Sequence, residues 1–231
     1  SDLSVAYKIP SLLSTGTIVF VQAWSYSAIQ ENDSEDKERY SNLVYDKMVC
    51  TVVLIAAGLL MIMKPFLKVY VSADYYVAWK YIPLLLIGYV FMTLGSFVAT
   101  TYTVHKDSVG FLLSGTCGAV LNLLLNWILI PITGAYGAAF ATCISYFVVF
   151  AFRVVHTRKY LKLNVWNPIH LACIMLLISM GVTVFCDSIQ GKLLLVVEFL
   201  MISFILRKFV LKIIILLKTK MLQIKLWIYL I

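Results

Sequence analysis

The stretch "NWILIPITGAYGAAFATCISY", residues 126–146, decides how the chain is divided into helices. An apolar run leads into Pro131 and Gly134, and a second apolar run follows. The residue before a proline is disfavoured in helix, and glycine permits a tight turn. One helix from 110 to 152 would be about 60 Å long at about 1.5 Å per residue, twice the hydrocarbon thickness of a bilayer. The sequence therefore predicts two helices that meet in a short turn near Pro131 and Gly134.

The composition indicates that this turn joins two membrane-spanning helices. Of 231 residues, 62% are hydrophobic and 13% are charged, and the mean hydropathy is +0.94. A soluble domain carries about 25% charged residues. Apolar runs of about 20 residues alternate with short polar gaps, which is typical of helices that cross a bilayer. The predicted fold class is all-α, a polytopic transmembrane helix bundle with about seven spans: 9–29, 48–70, 81–103, 110–131, 135–152, 168–186 and 192–211.

The distribution of Lys and Arg predicts the orientation of the bundle. With the N-terminus outside, 14 of the 19 Lys and Arg residues fall on the cytoplasmic side, as the positive-inside rule requires. The net charge of +8 is then a topology signal, and we expect no nucleic-acid partner. A chain that starts outside and does not begin with Met is expected to be a piece of a longer protein.

The polar residues form no recognisable catalytic or metal-binding set. The five cysteines and three histidines lack the spacing of a zinc site. The predicted outer loops are also too short to carry an evident group of acids, bases or arginines. We therefore expect no enzyme activity, no cofactor and no metal.

Polar side chains instead form stripes along the predicted spans. Residues three, four or seven apart share one helix face, and polar groups in a membrane face other helices or a water-filled cavity. The candidates for lining a substrate cavity are Lys8, Ser11, Thr15, Gln22 and Ser25 in span one, Thr93, Ser96 and Thr100 in span three, and Asn122 and Asn126 in span four. For span one, helix packing and cavity lining remain equally open.

Small residues mark where two spans are expected to pack closely. Without a large side chain, two helix backbones can approach each other in the membrane. The candidates for this role in spans four and five are Gly115, Gly118, Gly137 and Ala141.

Spans six and seven carry few polar side chains and are predicted to be peripheral. Glu198 is the only carboxylate deep in any predicted span. Such a group either pairs with a cation or takes up a proton, so ion coupling is one hypothesis for it. The predicted organisation is a bundle of spans one to five in 1–155, two appended helices in 156–212, and a basic tail in 213–231 that lies in the cytoplasm or on the membrane surface.

Four pieces of sequence carry a resemblance to a known family: "YKIPSLL…QAW" within 7–24, "WKYIPLL" at 79–85, "NLLLNWILIP" at 122–131 and "GAYGAAFAT" at 134–142. Their order and spacing resemble the C-terminal half of bacterial polysaccharide-lipid (O-antigen) flippases of the Wzx type. These flippases belong to the multidrug/oligosaccharidyl-lipid/polysaccharide (MOP) exporter superfamily. The resemblance implies two lobes of six helices around a central cavity, like a MATE-type exporter, with two helices appended at the end.

The resemblance also implies a function. It implies flipping of an undecaprenyl-pyrophosphate-linked oligosaccharide across the bacterial inner membrane, for polysaccharide, lipopolysaccharide or capsule assembly. The partners would be this lipid-linked glycan, the bilayer and a missing N-terminal lobe, and the C-terminus would be cytoplasmic. A drug or cation antiporter and a peptidoglycan-precursor flippase of the same superfamily remain alternatives. A membrane-embedded glycan polymerase or ligase is the alternative from another class.

Overall fold

The computed structural model describes residues 2–70, 73–212 and 215, and within them the secondary structure is helical without strands. The predicted all-α fold class is therefore confirmed. The predicted tail, 213–231, lies outside the described residues except for residue 215. The helices are α1 (Asp2–Ala6), α2 (Lys8–Gln30), α3 (Lys37–Tyr70), a 3-10 helix (Ala73–Lys80), α4 (Ile82–Val104), α5 (Ser108–Thr133), α6 (Ala135–His156), a 3-10 turn (Thr157–Lys159), α7 (Pro168–Thr183) and α8 (Ile189–Ile205).

Five helices of the described chain are long and apolar enough to cross a membrane: α2 with α1, α3, α4, α5 and α6. The chain is therefore a multi-pass membrane protein, and predicted spans one to five correspond to these helices. Helices α7 and α8 have 16 and 17 residues, or about 24–26 Å at about 1.5 Å per residue. That length is less than the hydrocarbon thickness of about 30 Å. Predicted spans six and seven are thus present as helices, but each is shorter than predicted.

Helix α3 is longer than the predicted span 48–70, because it begins at Lys37 and has 34 residues. Its first turns carry charged side chains, which lie outside the predicted span. Lys, Glu and Arg are good helix formers, so the helix continues past the lipid into the aqueous phase. A hydropathy profile detects the apolar part of a helix and cannot detect a polar extension of it.

The predicted break between α5 and α6 is present, and it lies at Gly134. This residue has a φ of +59°, a conformation that favours glycine. Pro131 lies within the last turn of α5, which continues to Thr133, two residues beyond the predicted end of span four at 131. Carbonyl groups in the last turn of α5 accept hydrogen bonds although Pro131 has no N–H. Thr133 Oγ1 donates to the Leu129 carbonyl at 2.9 Å, and the Gly134 N–H donates to the Ile130 carbonyl at 2.9 Å.

Helix α4 lies at the centre of the bundle, with 17 of its 23 residues buried. It packs against α2, α3, α6 and α7, and the α7–α8 pair also packs on α3. Helix α5 has only three buried residues among 26, because it packs mainly on α6. Most of the α5 surface is therefore left for lipid or for another protein segment.

The connections between helices lie at two ends of the bundle. At the first, Asn42 Nδ2 donates to the Lys162 carbonyl at 3.1 Å, and Lys159 pairs with Asp107 at 3.2 Å. Connections 31–36, 105–107 and 157–167 meet there. We call it the basic end, because Arg153, Arg158, Lys159 and Lys162 lie around the end of α6. At the opposite end, connections 73–81, 134 and 184–188 meet, and the rings of Tyr81 and Tyr136 lie 4.9 Å apart.

Candidate functional site

A polar cavity of about 520 Å³ lies between the start of α2 and helices α4, α5 and α6. Small and hydroxyl side chains form much of its wall, and it contains one cation and no carboxylate. We call it the polar cavity. It is lined by Tyr7, Met92, Ser96, Gly115, Gly118, Ala119, Asn122, Thr142, Ser145, Tyr146, Val149 and Arg153.

Arg153 supplies the positive charge of the polar cavity from the last turn of α6. Its Nε donates to Ser114 Oγ at 3.0 Å, and one terminal nitrogen donates to the Gly95 carbonyl at 3.0 Å. The guanidinium has five N–H donors, so donors remain beyond these two bonds. Among the described residues, no carboxylate forms an ion pair with Arg153. The half-buried cation is therefore held in place by neutral groups and has capacity for an anion.

Glycines in α5 open the wall of the polar cavity. A Cβ at Gly115 would have no heavy atom within 4 Å, so a side chain there would occupy cavity space. A Cβ at Gly118 would collide with the Val149 side chain, and one at Gly137 would lie 2.7 Å from the backbone of Leu129. Helices α5 and α6 thus approach closely at Gly118 and Gly137, and the cavity lies beside that contact.

Hydroxyl groups line the wall opposite α5. Tyr7 and Thr142 hydroxyls lie 3.2 Å apart, and the Tyr7 ring lies 6.4 Å from that of Tyr89. The Tyr89 ring packs in turn on Tyr146 at 5.9 Å. The Ser145 hydroxyl is buried, lines the cavity and has no hydrogen-bond partner among the described residues. These groups could donate to, or accept from, a polar ligand.

The structure brings some of the predicted cavity residues together with Arg153. Ser96 and Asn122 line the polar cavity, as do Gly115 and Gly118, which were predicted to serve in packing. Asn126 does not line it but donates through Nδ2 to Asn122 Oδ1 at 2.9 Å. The Asn122 carboxamide is therefore oriented by its neighbour one turn away.

Other predicted residues lie elsewhere. Thr93 and Thr100 are buried among the helices and do not line the polar cavity. Lys8 and Ser11 line a separate cavity of about 670 Å³ near the opposite end, together with aromatic residues of α3 and the following 3-10 helix. Along α2, Thr15 and Gln22 are exposed and Ser25 is half-buried. Ala141 is fully buried on α6.

Glu198 lies outside both cavities, between α7 and α8. It is 4% exposed, and Ser179 and Thr183 both donate hydrogen bonds to its Oε1. The helix pair therefore has a polar contact in an otherwise apolar interface.

Two carboxylates outside the spans are held by hydrogen bonds. The Gly110 backbone N–H, with Lys159 and Tyr160, lowers the pKa of Asp107, which caps the start of α5. At the opposite end, the hydrogen bond and charge of Lys64 lower the pKa of Asp187. Lys64 Nζ also donates to the Val184 carbonyl at 2.6 Å and lies 3.9 Å from the centre of the Trp79 ring.

Three features of the polar cavity were not predicted from the sequence: Arg153, Tyr7 and the hydroxyls of α6. Arg153 was counted only among the cations that predict topology. A signal was present, because the small-residue line Gly137, Ala141 and Ser145 continues at steps of four through Val149 to Arg153. Extending that line by two helical turns would have put Arg153 on the same face as Ser145.

The fold and the cavity define a class, a polytopic membrane helix bundle with a polar, cationic internal site. No known family model matches the sequence, and no curated protein matches it. Among solved structures, the lipid II flippase MurJ in an inward closed conformation is similar, with a TM-score of 0.59 and 17% sequence identity. The match covers 89% of this chain and 48% of the MurJ chain. This chain therefore shares the fold of about half of MurJ, which agrees with the flippase-type bundle that the sequence resemblance implies.

Proposed function

We propose that this chain forms one lobe of a flippase that moves an undecaprenyl-pyrophosphate-linked oligosaccharide from the inner to the outer leaflet of the bacterial inner membrane. The observation that carries the proposal is the polar cavity, in which Arg153 has no carboxylate partner among the described residues and is surrounded by hydroxyl and amide groups. In this proposal the basic end of the bundle faces the cytoplasm. Arg153 then meets the substrate on the side where it is loaded.

The chemistry of such a substrate matches the cavity lining. A pyrophosphate and a glycan cannot cross hydrocarbon unaided, because each loses its hydrogen bonds to water. A guanidinium binds phosphate oxygens through paired, charge-assisted hydrogen bonds. Ser96, Asn122, Thr142 and Ser145 offer neutral hydrogen-bonding groups of the kind that sugar hydroxyls need.

Transport in this proposal needs a second lobe. Alternating access works by rocking one lobe against another around a shared site, and this chain corresponds to about half of the similar MurJ structure. The poorly buried α5, which carries Asn122, is the surface that the other lobe would cover. Lys8, in the separate cavity at the opposite end, would receive the pyrophosphate as the outward-facing state forms.

Two other transporters of the same superfamily compete with this assignment. A peptidoglycan-precursor flippase has a substrate with the same polyprenyl-pyrophosphate group, so the polar cavity suits it comparably. A drug or cation antiporter would be expected to place a carboxylate in its cavity, and the polar cavity is lined by none. The cavity therefore favours an anionic, lipid-linked substrate over a cationic drug.

The test replaces Arg153 in the protein that contains this chain. We expect Arg153→Gln to reduce export of the lipid-linked glycan by about tenfold or more, because a charge-assisted hydrogen bond contributes about 1.5–3 kcal/mol. Arg153→Lys should retain part of the export, since it keeps the charge but not the planar fork. Arg158→Gln, at an exposed site five residues away, is the matched control and should export normally.

Protein abundance must be measured alongside export, because Arg153 also bonds to Ser114 and Gly95. Normal export by Arg153→Gln at normal abundance would contradict the proposal. The identity of the lipid-linked glycan that accumulates inside cells of the variant separates the two flippase assignments. An oligosaccharide of the O-antigen or capsule type supports the first, and a peptidoglycan precursor supports the second.

A further inference from the structure

Glu198 is a buried carboxyl group that is only half satisfied. Ser179 Oγ and Thr183 Oγ1 donate to its Oε1, the first at 2.5 Å and the second at 3.3 Å. Its Oε2 is buried and has no hydrogen-bond partner, and no Lys, Arg or His forms an ion pair with it, within the part of the chain that the structure describes. An ionised carboxylate in this position would carry an uncompensated charge in an apolar interface.

A cavity of about 280 Å³ leads toward Glu198 from the opposite end of the bundle. It lies between α3, α7 and α8, and its mouth carries Lys64, Asp187 and Lys192. Thr183 lines this cavity and also donates to Glu198. Thr183 therefore lies at the contact between this cavity and the buried carboxyl group.

The ionisable groups on the helices around Glu198 differ between the two ends of the bundle. Toward the cavity mouth, α3 contributes Lys64, which is paired with Asp187, and α8 contributes Lys192. Toward the basic end, α7 contributes Cys173 and His170, and α3 contributes Cys50 and Asp46, which lies 3.3 Å from His170. His170 is nine residues from Ser179, or about 13 Å along α7.

We propose that Glu198 is a proton-binding site that is reached from the opposite end of the bundle through the cavity at Lys64, Asp187 and Thr183. A proton from water in this cavity forms an O–H bond at Oε2 and neutralises the carboxylate, and its release to the same water restores the charge. Ser179 and Thr183 hold Oε1 in both states. The four oxygens of these three residues are fewer than the about 6–8 that Ca²⁺ takes, so the site suits a proton better than such a cation.

Labelling with dicyclohexylcarbodiimide tests this site, because the reagent modifies protonated carboxyl groups in apolar surroundings. The purified protein in lipid vesicles is labelled over a series of pH values, and the modified residue is identified by mass spectrometry. We expect label at Glu198 that declines sigmoidally as the pH rises. Glu198→Gln should lose the label, and Asp187→Asn, at the cavity mouth, should keep it.

A second variant tests the role of the threonine hydroxyl. Thr183→Val removes one of the two donors to Oε1, so the pH dependence of labelling should change while the labelled residue stays the same. Label that does not vary with pH would show a permanently neutral, structural carboxyl group and would overturn the proposal. Absence of label at every pH would overturn it as well.

Sodium separates proton binding from cation binding. At constant pH and ionic strength, replacement of choline by Na⁺ should leave the labelling unchanged. Protection by Na⁺ alone would indicate a cation site and contradict the proposal. These measurements report binding rather than export, so their outcome is independent of whether the chain is part of a flippase.

Discussion

Asp107 joins two segments at the basic end through one side chain. It accepts a hydrogen bond from the Gly110 N–H at 2.8 Å, which caps α5, and it also accepts from Tyr160 and Lys159 after α6. These bonds favour the ionised carboxylate and lower its pKa, with the Gly110 N–H as the largest cause. A single carboxylate therefore holds the start of α5 against the segment that follows α6.

Asp107→Asn should lower the thermal stability of the purified protein at neutral pH. Folding lowers the pKa of Asp107, so its contribution is fully present above its ordinary pKa of 3.8. The contribution is lost as the pH falls through the lowered pKa of the folded state. The difference in melting temperature between wild type and variant should therefore shrink in that range.

Glu35→Gln, at an exposed position in the 31–36 connection, is the control and should change the melting temperature little at any pH. A deficit for Asp107→Asn that persists unchanged at the lowest pH would show that the carboxylate charge is not what stabilises this end.

At the scale of elements, the α5–α6 hairpin depends on one glycine and not on the nearby proline. Gly134 has φ +59° and ψ −132°, which residues with a side chain rarely adopt. Pro131 occupies an ordinary position in the last turn of α5. The close approach of the two helices then follows from Gly118 and Gly137, where added Cβ atoms would collide with α6 and α5 respectively.

Gly134→Ala should lower the free energy of unfolding by about 1–3 kcal/mol, the usual cost of a strained backbone conformation. Pro131→Ala should be neutral or stabilising, because alanine restores an N–H donor and favours helix. Denaturant unfolding of both variants in the same detergent measures the two effects. A larger loss for Pro131→Ala than for Gly134→Ala would show that the proline shapes the turn.

At the scale of the whole molecule, the positive charge is concentrated at one end of the bundle. The basic end carries Arg153, Arg158, Lys159 and Lys162 around the end of α6, whereas the opposite end has a few lysines, among them the paired Lys64. The positive-inside rule predicts that the basic end faces the cytoplasm. The same orientation underlies the proposal that Arg153 loads substrate from the inner leaflet.

Cysteine labelling measures this orientation directly. In a variant without the five native cysteines, Ser188→Cys should react with an impermeant thiol reagent added outside intact cells, and Arg158→Cys should react only after the cells are opened. Both positions are exposed, so the difference reports sidedness and not burial. The reverse pattern would invert the topology and put Arg153 on the outer side.

The sequence by itself determined the membrane class, the five long spans and the hairpin at Gly134. These features depend on local properties of the chain: the length of an apolar run, and the backbone freedom of one residue. Each can be recognised without knowing what any helix packs against. The full length of α3 could not be predicted in this way, because its charged first turns are helical but not apolar.

Only the tertiary structure decided which polar side chains meet. A stripe of polar residues identifies one face of a helix, but the partner of that face depends on helices distant in sequence. Thr93 and Thr100 thus became core residues of α4, whereas Ser96, on the same helix, lines the polar cavity with Arg153. Glu198 accepts hydrogen bonds from Ser179 and Thr183 because α7 and α8 pack as a pair. Side-chain burial is a property of the packed bundle, and it cannot be predicted from the periodicity of the sequence alone.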